Sequence, residues 1–416
     1  MTLSEELQWR GFVNQTTFSD TTALDQKPLT FYWGVDPSAA SMTIGNLAMA
    51  MMVRHFIDHG HSAILLIGGA TGLIGDPDGK SEERELKSLE EIAQNKKSIA
   101  AQYKQIFEGQ EFETVDNYDW FKDMGYLQFL RDVGKHVPMR QMLSRDFVQS
   151  RLGEEGAGIS YAEFSYSLIQ GYDFLHLYQE KGVTLQVAGS DQWGNSIAGV
   201  ELVRRMAGGD AHIWTGPIVV NKSTGVKFGK SEDGAIWLDP SLTSVYKFYQ
   251  FWLNVDDEGV SDYLKIYTLL SREEHDKLMI EFESNPTGRL AQKTLAYEVT
   301  KLVHGAERAD GVLRITNVLF GKTAFSDLTE DDLAMLASEI PVVERVPTTY
   351  TGSEGPATET VSGSLQKAGV VKSLGEGRRL IEGGGVYVNG ERISQDAILQ
   401  NTSLIRKGKN DFVLVR

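Results

Sequence analysis

From residue 28 to about residue 238, short apolar runs alternate with longer amphipathic stretches, and this alternation restricts the fold more than any other feature of the chain. "LTFYWGVD", "SAILLIGG", "TLQVAGSD" and "GPIVV" read as buried strands, and "IGNLAMAMMVRHFIDHG", "LKSLEEIAQNKKSIAAQYKQIF" and "NSIAGVELVRRMAG" as helices. Continuously apolar runs suit strands covered on both faces, and strand–helix alternation builds such sheets from parallel crossover units. The expected fold is α/β: a Rossmann-like, doubly wound parallel sheet over residues 1–238. Sheets of this kind bind ligands at the carboxyl ends of their strands, where the strand order reverses.

The alternation breaks at "GYLQFLRDVGKHVPMRQMLSRDFVQSRLGEEG", an insert over about 125–155 with an apolar stripe at helical spacing. The stripe either packs onto the same core or forms a subunit interface, which would make the protein a homodimer. From 240 to 336 the pattern is helical throughout and suggests a separate all-α domain. A stretch over 337–360, which takes in all but the last three residues of "RVPTTYTGSEGPATETVSG", lacks periodicity and reads as a linker. Residues 361–416 form a last small α+β module.

Charge separates that module from the rest. Residues 361–416 carry nine Lys/Arg against five Asp/Glu, a net +4 within a chain of net charge −16, so the remainder carries −20. A basic module on an acidic body is either a local polyanion-binding surface or a solvated tail. The absence of cysteine excludes disulfides, cysteine-ligated zinc and a thiol nucleophile. No apolar run reaches the roughly 18 residues of a spanning helix, and the N-terminal stretch lacks a secretory pattern. A cytoplasmic protein with no membrane partner and no protein-held metal is expected.

Four Gly-rich turns follow the expected strands: "GVDPSAASMTIGN", "GGATGLIGDPDGKSEER", "AGSDQWGN" and "GVKFGKSEDG". Each alone is weak, but together, two of them with lysines, they outline a nucleotide pocket that lacks the standard phosphate-loop and dinucleotide fingerprints. In the first, Thr43-Ile44-Gly45-Asn46 opens a helix, where free N–H groups and the positive helix end favour phosphate. "VKFGKS" places Lys227 and Lys230 on a Gly-hinged loop, either to meet charge building on a pyrophosphate leaving group or as a solvated basic turn. In "YSLIQGYDFLHL", Tyr166, Gln170 and Asp173 fall on one helix face. They suit a ligand with an ammonium and a hydroxyl, or else Asp173 only ends a helix.

These blocks, with "NYDW", "FLRDVGKH" and "EFSYSLIQGYDFLHLY", resemble those of bacterial tyrosyl-tRNA synthetases, a class I aminoacyl-tRNA synthetase family, in order and spacing from end to end. "KFGKS" is similar to the family's Lys-Met-Ser-Lys-Ser loop, and "EGRRLIEGGGVYVNGERI" to its closing S4-type RNA-binding motif. The resemblance implies ATP-Mg²⁺, tyrosine and tRNA(Tyr) as substrates: tyrosyl-adenylate and pyrophosphate form first, and the tyrosyl group then passes to the 3′ end of the tRNA.

It also implies site roles. Tyr32 and Asp173 would hold the tyrosine phenol; Asp76, Tyr166 and Gln170 its ammonium; Asn117 completes that pocket. Asp36, Gly45, Asp191, Gln192 and Ser231 would line the ATP side, and Lys80, Arg84, Lys227 and Lys230 would handle phosphates. The family's usual His-x-Gly-His is Thr43-Ile44-Gly45-Asn46 here, the form also found in tryptophanyl-tRNA synthetases. A hydroxyl and an amide in the two histidine places can still hydrogen-bond ATP. Trp33 departs from a small residue near the ribose. The alternatives are a paralogue that binds RNA or another acceptor without efficient charging, and a tryptophan specificity. Tyr32 with Asp173 favours tyrosine, because a buried donor and acceptor call for a substrate hydroxyl.

Overall fold

Six strands form the central sheet of the computed structural model, which describes residues 1–77, 86–143, 146–153, 156, 158–228, 230–231, 234–345, 359–409 and 411–416. They are β1 (Gln15–Thr16), β2 (Thr30–Val35), β3 (Ser62–Ile67), β4 (Phe112–Asp116), β5 (Leu185–Gly189) and β6 (His212–Gly216), in the order β1-β6-β5-β2-β3-β4. All neighbours run parallel except β1, which lies antiparallel along β6. The chain winds from β2 outward through β3 to β4, then crosses to β5 and outward again to β6, so the order reverses between β2 and β5. Side chains alternate across β2: Tyr32 packs on Phe174, whereas Trp33 packs its ring on Tyr103 and Phe107.

Two strand expectations need correction. "GPIVV" is not a sheet strand; β6 is the preceding "HIWTG". Pro217 has no N–H to give a ladder, and beyond it Val220 bridges Lys227 in a small hairpin. β4 escaped the reading because "FETVD" is a half-exposed edge strand without an apolar run.

Helix α1 (Leu3–Arg10) and helix α2 (Ile44–Asp58) belong to the same unit, Met1–Ser244 with Phe251–Val303. α2 buries Leu47, Ala48, Met51, Met52 and Phe56, which is why its sequence is apolar almost all round. The helix Val260–Tyr267 packs on both α1 and α2. Arg10, paired with Glu6 at 2.6 Å, donates to the carbonyls of Lys265 (2.6 Å), Thr268 (2.9 Å) and Leu270 (2.8 Å) and so caps its end. The stretch expected as a helical domain over 240–336 is thus divided: residues up to Ser244 and Phe251–Val303 sit in this unit, whereas Val245–Gln250 and residues from His304 onward belong to the other.

The second unit comprises Val245–Gln250 and His304–Arg416. Within it the strands Val342–Val343, Val386–Val388, Glu391–Arg392, Ser403–Lys407 and Asp411–Val415 form one five-stranded sheet. The helices Val361–Lys367 and Leu374–Glu382 cross closely at Gly377, where a Cβ would meet that of Ser362 at 3.0 Å. Asn389, at φ 52°, and Gly390, at φ 92°, make the tight hairpin turn of "VYVNGERI". Val342–Val343 pairs with Asp411–Val415, so the expected linker begins no earlier than residue 344; its middle, 346–358, lies outside the described residues.

Candidate functional site

A cavity of about 430 Å³ opens at the carboxyl ends of β2 and β5, where the strand order reverses. Of the residues singled out above, Tyr32, Asp36, Thr43, Gly45, Asn46, Asp76, Tyr166, Gln170, Asp173, Asp191, Gln192 and Lys227 all line it. They come from β2, the start of α2, the turn after β3, the helix Tyr161–Lys181, the turn after β5 and the hairpin after β6. Lys80 and Arg84 lie outside the described residues. Lys230 and Ser231 form a two-residue strand whose backbone pairs with Gly234–Ala235.

Asp173 is the centre of the deepest network. The helix Tyr161–Lys181, capped by Ser160 and Glu163, carries it inward at 2% exposure. Its carboxylate accepts from Asn117 Nδ2 at 3.1 Å and from Trp120 Nε1 at 2.9 Å. Burial nevertheless raises its pKa to about 8, since those two donors only partly offset lost hydration. Asn117 is wholly buried; it also donates to Thr71 Oγ1 (3.1 Å) and accepts from Ala70 N (2.6 Å). It therefore acts as a brace behind the cavity wall. Across β2 the Tyr32 hydroxyl is buried and has no partner among the described residues. Burial, with the charge of Asp173 adding to it, holds this phenol well above its usual pKa, so Tyr32 remains a donor.

A second network surrounds Asp36. Tyr166 Oη donates to its Oδ2 at 2.7 Å and Thr71 Oγ1 to its Oδ1 at 2.6 Å. The Tyr166 hydroxyl thus gives its proton to Asp36 and keeps its oxygen lone pair as the acceptor that a ligand ammonium requires. Gly68 makes this possible, because a Cβ there would collide with the Asp36 carboxylate and the Thr71 hydroxyl. Gln192 Nε2 donates to Asp76 at 2.6 Å and its Oε1 accepts from Asn195 at 3.1 Å. Burial raises the Asp191 carboxyl, and Lys227 opposes that rise.

At the start of α2, Thr43 occupies the N-cap with extended backbone (φ −103°, ψ 172°). Its N–H and its hydroxyl both donate to Asn46 Oδ1, at 2.9 and 3.1 Å. A hydroxyl has one proton, so in this arrangement Thr43 gives it to Asn46, and Asn46 Nδ2 is the side-chain donor that remains. A Cβ at Gly45 would meet only Thr43 Oγ1 at 3.4 Å, so packing does not demand glycine there; its bareness keeps the cavity open before the helix start.

Three residues escaped the sequence reading. Trp120 lies one helical turn past Asn117 in "NYDW", a spacing that could have marked it. Gln186 sits opposite Tyr32 in the β2–β5 register, is 3% exposed and lines the cavity; a glutamine within an apolar strand was its signal. Thr71 gave no signal, because its partners Asp36 and Asn117 are distant in sequence.

A family model described as tRNA synthetases class I (W and Y) matches residues 24–321, and an S4 domain model matches residues 364–399. Fold and match together define a class I aminoacyl-tRNA synthetase. The tyrosine–tRNA ligase of Cytophaga hutchinsonii is 43% identical over 99% of this chain and 98% of its own length. That of Bacteroides fragilis is 42% identical over 100% and 99%. Among solved structures, a C-terminally truncated mitochondrial tyrosyl-tRNA synthetase of Aspergillus nidulans superposes with a TM-score of 0.69 at 31% identity, covering 77% of this chain and 94% of that one. The chain belongs to the tyrosine–tRNA ligases.

Proposed function

We propose that this site activates tyrosine with ATP-Mg²⁺ and then charges tRNA(Tyr), and that the Tyr32–Asp173 pair selects the amino acid. The observation that carries the reading is a buried phenol donor without a partner lining the same cavity as a buried carboxylate. A substrate phenol accepts from Tyr32, a donor that an indole or a phenyl ring would leave unpaired, and donates to Asp173 beside the two donors already on it. Asp76, Tyr166 and Gln170 face the substrate ammonium, Tyr166 accepting on its hydroxyl oxygen while its proton is held by Asp36. The nucleotide lies against Gly45 and Asn46 at the helix start, with Asp191 and Gln192 on its adenosine side.

The tyrosine carboxylate oxygen attacks the α-phosphorus, the bond to the bridging oxygen breaks and pyrophosphate leaves. No side chain acts as nucleophile; catalysis is positioning plus stabilisation of charge on the leaving group by Lys227 and Lys230, joined by Lys80 and Arg84. A terminal ribose hydroxyl of the tRNA then attacks the adenylate carbonyl carbon and AMP leaves. We assign tRNA contact to the basic 361–416 module, where Arg378, Arg379 and Arg392 are exposed.

We also propose a cytoplasmic homodimer. No helix among the described residues is long and apolar enough to cross a membrane. The insert leaves Tyr126 62% and Leu127 79% exposed, an apolar surface that supports the interface reading. Tyrosine-dependent ATP–pyrophosphate exchange tests the central reading: exchange with tyrosine and not with tryptophan is expected, and its absence would overturn it.

A further inference from the structure

The hairpin that carries Lys227 is rooted on one side chain of a distant helix. Its stem is short: Val220 bridges Lys227, Phe228 N donates to Val219 O at 2.9 Å, and Asn221 N donates to Val226 O at 2.8 Å. The helix Val260–Tyr267 places Tyr263 against both halves of that stem. On the outgoing half, the Tyr263 hydroxyl donates to Val220 O at 3.4 Å and accepts from Lys222 N at 3.2 Å. On the returning half, the Phe228 ring stacks on the Tyr263 ring, centroids 4.2 Å apart and planes 20° from parallel. Phe251, Trp252 and Tyr267 close the box around Phe228 at 5.2, 5.6 and 6.0 Å. Two polar contacts repeat the connection at the tip: Lys222 Nζ lies 2.8 Å from Asp262, and Ser223 Oγ, 2.8 Å from Asn221 Oδ1, lies 3.1 Å from Asp256 Oδ2.

Lys227 lines the cavity and is the residue immediately before the stacked Phe228. The helix beneath is itself held, since Arg10 caps its end. A flexible ammonium stabilises developing charge only if its backbone is fixed, because ordering it during the reaction would consume the gain.

We propose that Tyr263 is a positioning residue for tyrosine activation: its ring and hydroxyl together fix the hairpin stem that aims Lys227 at the reacting phosphates. The inference rests on the role proposed above for Lys227. Tyr263 touches no substrate and acts only through the lysine hairpin.

Adenylate formation is measured in the full-length chain for Tyr263→Phe, Tyr263→Leu, Lys227→Ala and the double variant Tyr263→Leu/Lys227→Ala. Thermal unfolding serves as the folding control. Tyr263→Leu is expected to lower the adenylation rate about tenfold with the KM for tyrosine unchanged, and Tyr263→Phe, which keeps the stack, by about two- to threefold. Residues acting as one unit are non-additive, so Tyr263→Leu should add less than about twofold on the Lys227→Ala background. If the two effects multiply in full, Tyr263 acts elsewhere and the inference fails alone. An undiminished rate in Lys227→Ala would overturn the lysine's role and this inference with it. Should Tyr263→Leu not fold, the same cycle with Tyr263→Phe decides by the same criterion.

Discussion

Tyr32→Phe should make the protein more stable and a poorer judge of its substrate. The Tyr32 hydroxyl is buried and unpartnered among the described residues. Its ring, 1% exposed, packs edge-on to Phe174 with centroids 5.3 Å apart. Removing the oxygen leaves that packing intact and opens no hydrocarbon cavity. An unpaired buried hydroxyl costs about 1–3 kcal/mol, so a net gain of about 1–2 kcal/mol is expected once the lost dispersion of one atom is deducted. For a unit of this size that is a rise of roughly 2–6 °C in thermal midpoint. The same deletion removes one neutral hydrogen bond to the substrate phenol, about 0.5–1.5 kcal/mol, or about 2- to 12-fold in tyrosine affinity. Phenylalanine, which makes no such bond, should bind as before, so the ratio of kcat/KM for the two amino acids falls by that factor. Thermal unfolding without ligand and pyrophosphate exchange with each amino acid measure both sides. A variant less stable than wild type by about 1 kcal/mol or more would mean that the hydroxyl is satisfied in the folded protein, refuting the premise. An unchanged discrimination ratio would remove Tyr32 from the phenol site.

Asp173→Asn should flatten the pH dependence of stability. The folded carboxyl, raised to about 8 by burial, binds its proton more tightly than the unfolded one, whose ordinary value is 3.8. Its contribution is thus fully present below about pH 4 and is lost as pH rises through about 8, at about 1.4 kcal/mol per pH unit at most. A wild-type decline between pH 5 and 8 that survives in Asp173→Asn would refute the assignment. Asn46→Ala should slow adenylation more than Thr43→Ala, by about 10²-fold against about tenfold, since Asn46 supplies the remaining donor and Thr43 only orients it; stopped-flow rates in the reverse order would restore Thr43 as the phosphate donor. Removing residues 350–416 should spare pyrophosphate exchange, weaken tRNA charging and reduce the salt dependence of tRNA binding, because fewer phosphate contacts release fewer counterions. Equal damage to both half-reactions would make the module structural.

Legibility in the sequence followed burial. β2, β3 and β5 were readable because both their faces are largely covered and most of their residues are apolar, whereas β4, exposed at the sheet edge, carried no such signal. "GPIVV" misled because apolar character alone does not say which neighbour will pair with it: Val219 and Val220 bond to the lysine hairpin instead of the sheet. In the site, Tyr166, Gln170 and Asp173 were visible as one helix face, since their spacing is local. What they bond to was not: Asn117 is 56 residues from Asp173, and Asp36 is 130 residues from Tyr166. Such partners are set where the ends of β2 and β4 meet the helix Tyr161–Lys181, and no local pattern records that meeting. The division of the helical stretch after 240 was hidden for the same reason, because Arg10 near the N-terminus caps a helix 255 residues away.

The missing histidines can be understood through the ribbon that holds the helix start. Gly234–Ala235 pairs with Lys230–Ser231, and the chain then runs on beside the segment before α2: Ile44 N donates to Ile236 O at 3.1 Å, Leu238 N donates to Met42 O at 2.9 Å, and Thr43 bridges Trp237. The strand leaving the lysine hairpin is therefore the strand that braces Thr43. With the backbone at the helix start held from outside, the two side chains there need not anchor it, and Thr43 can spend its proton on orienting the Asn46 amide. An imidazole brings reach and a titratable charge; a preoriented amide beside a fixed helix start brings a neutral donor that does not change state with pH. On the function proposed above, the positive charge for the phosphates comes from the lysines, and the helix start contributes geometry. The sequence Thr-Ile-Gly-Asn is then consistent with its surroundings, because the bracing segment Ile236–Leu238 and the bareness of Gly45 do the part of the work that bulkier rings would otherwise share.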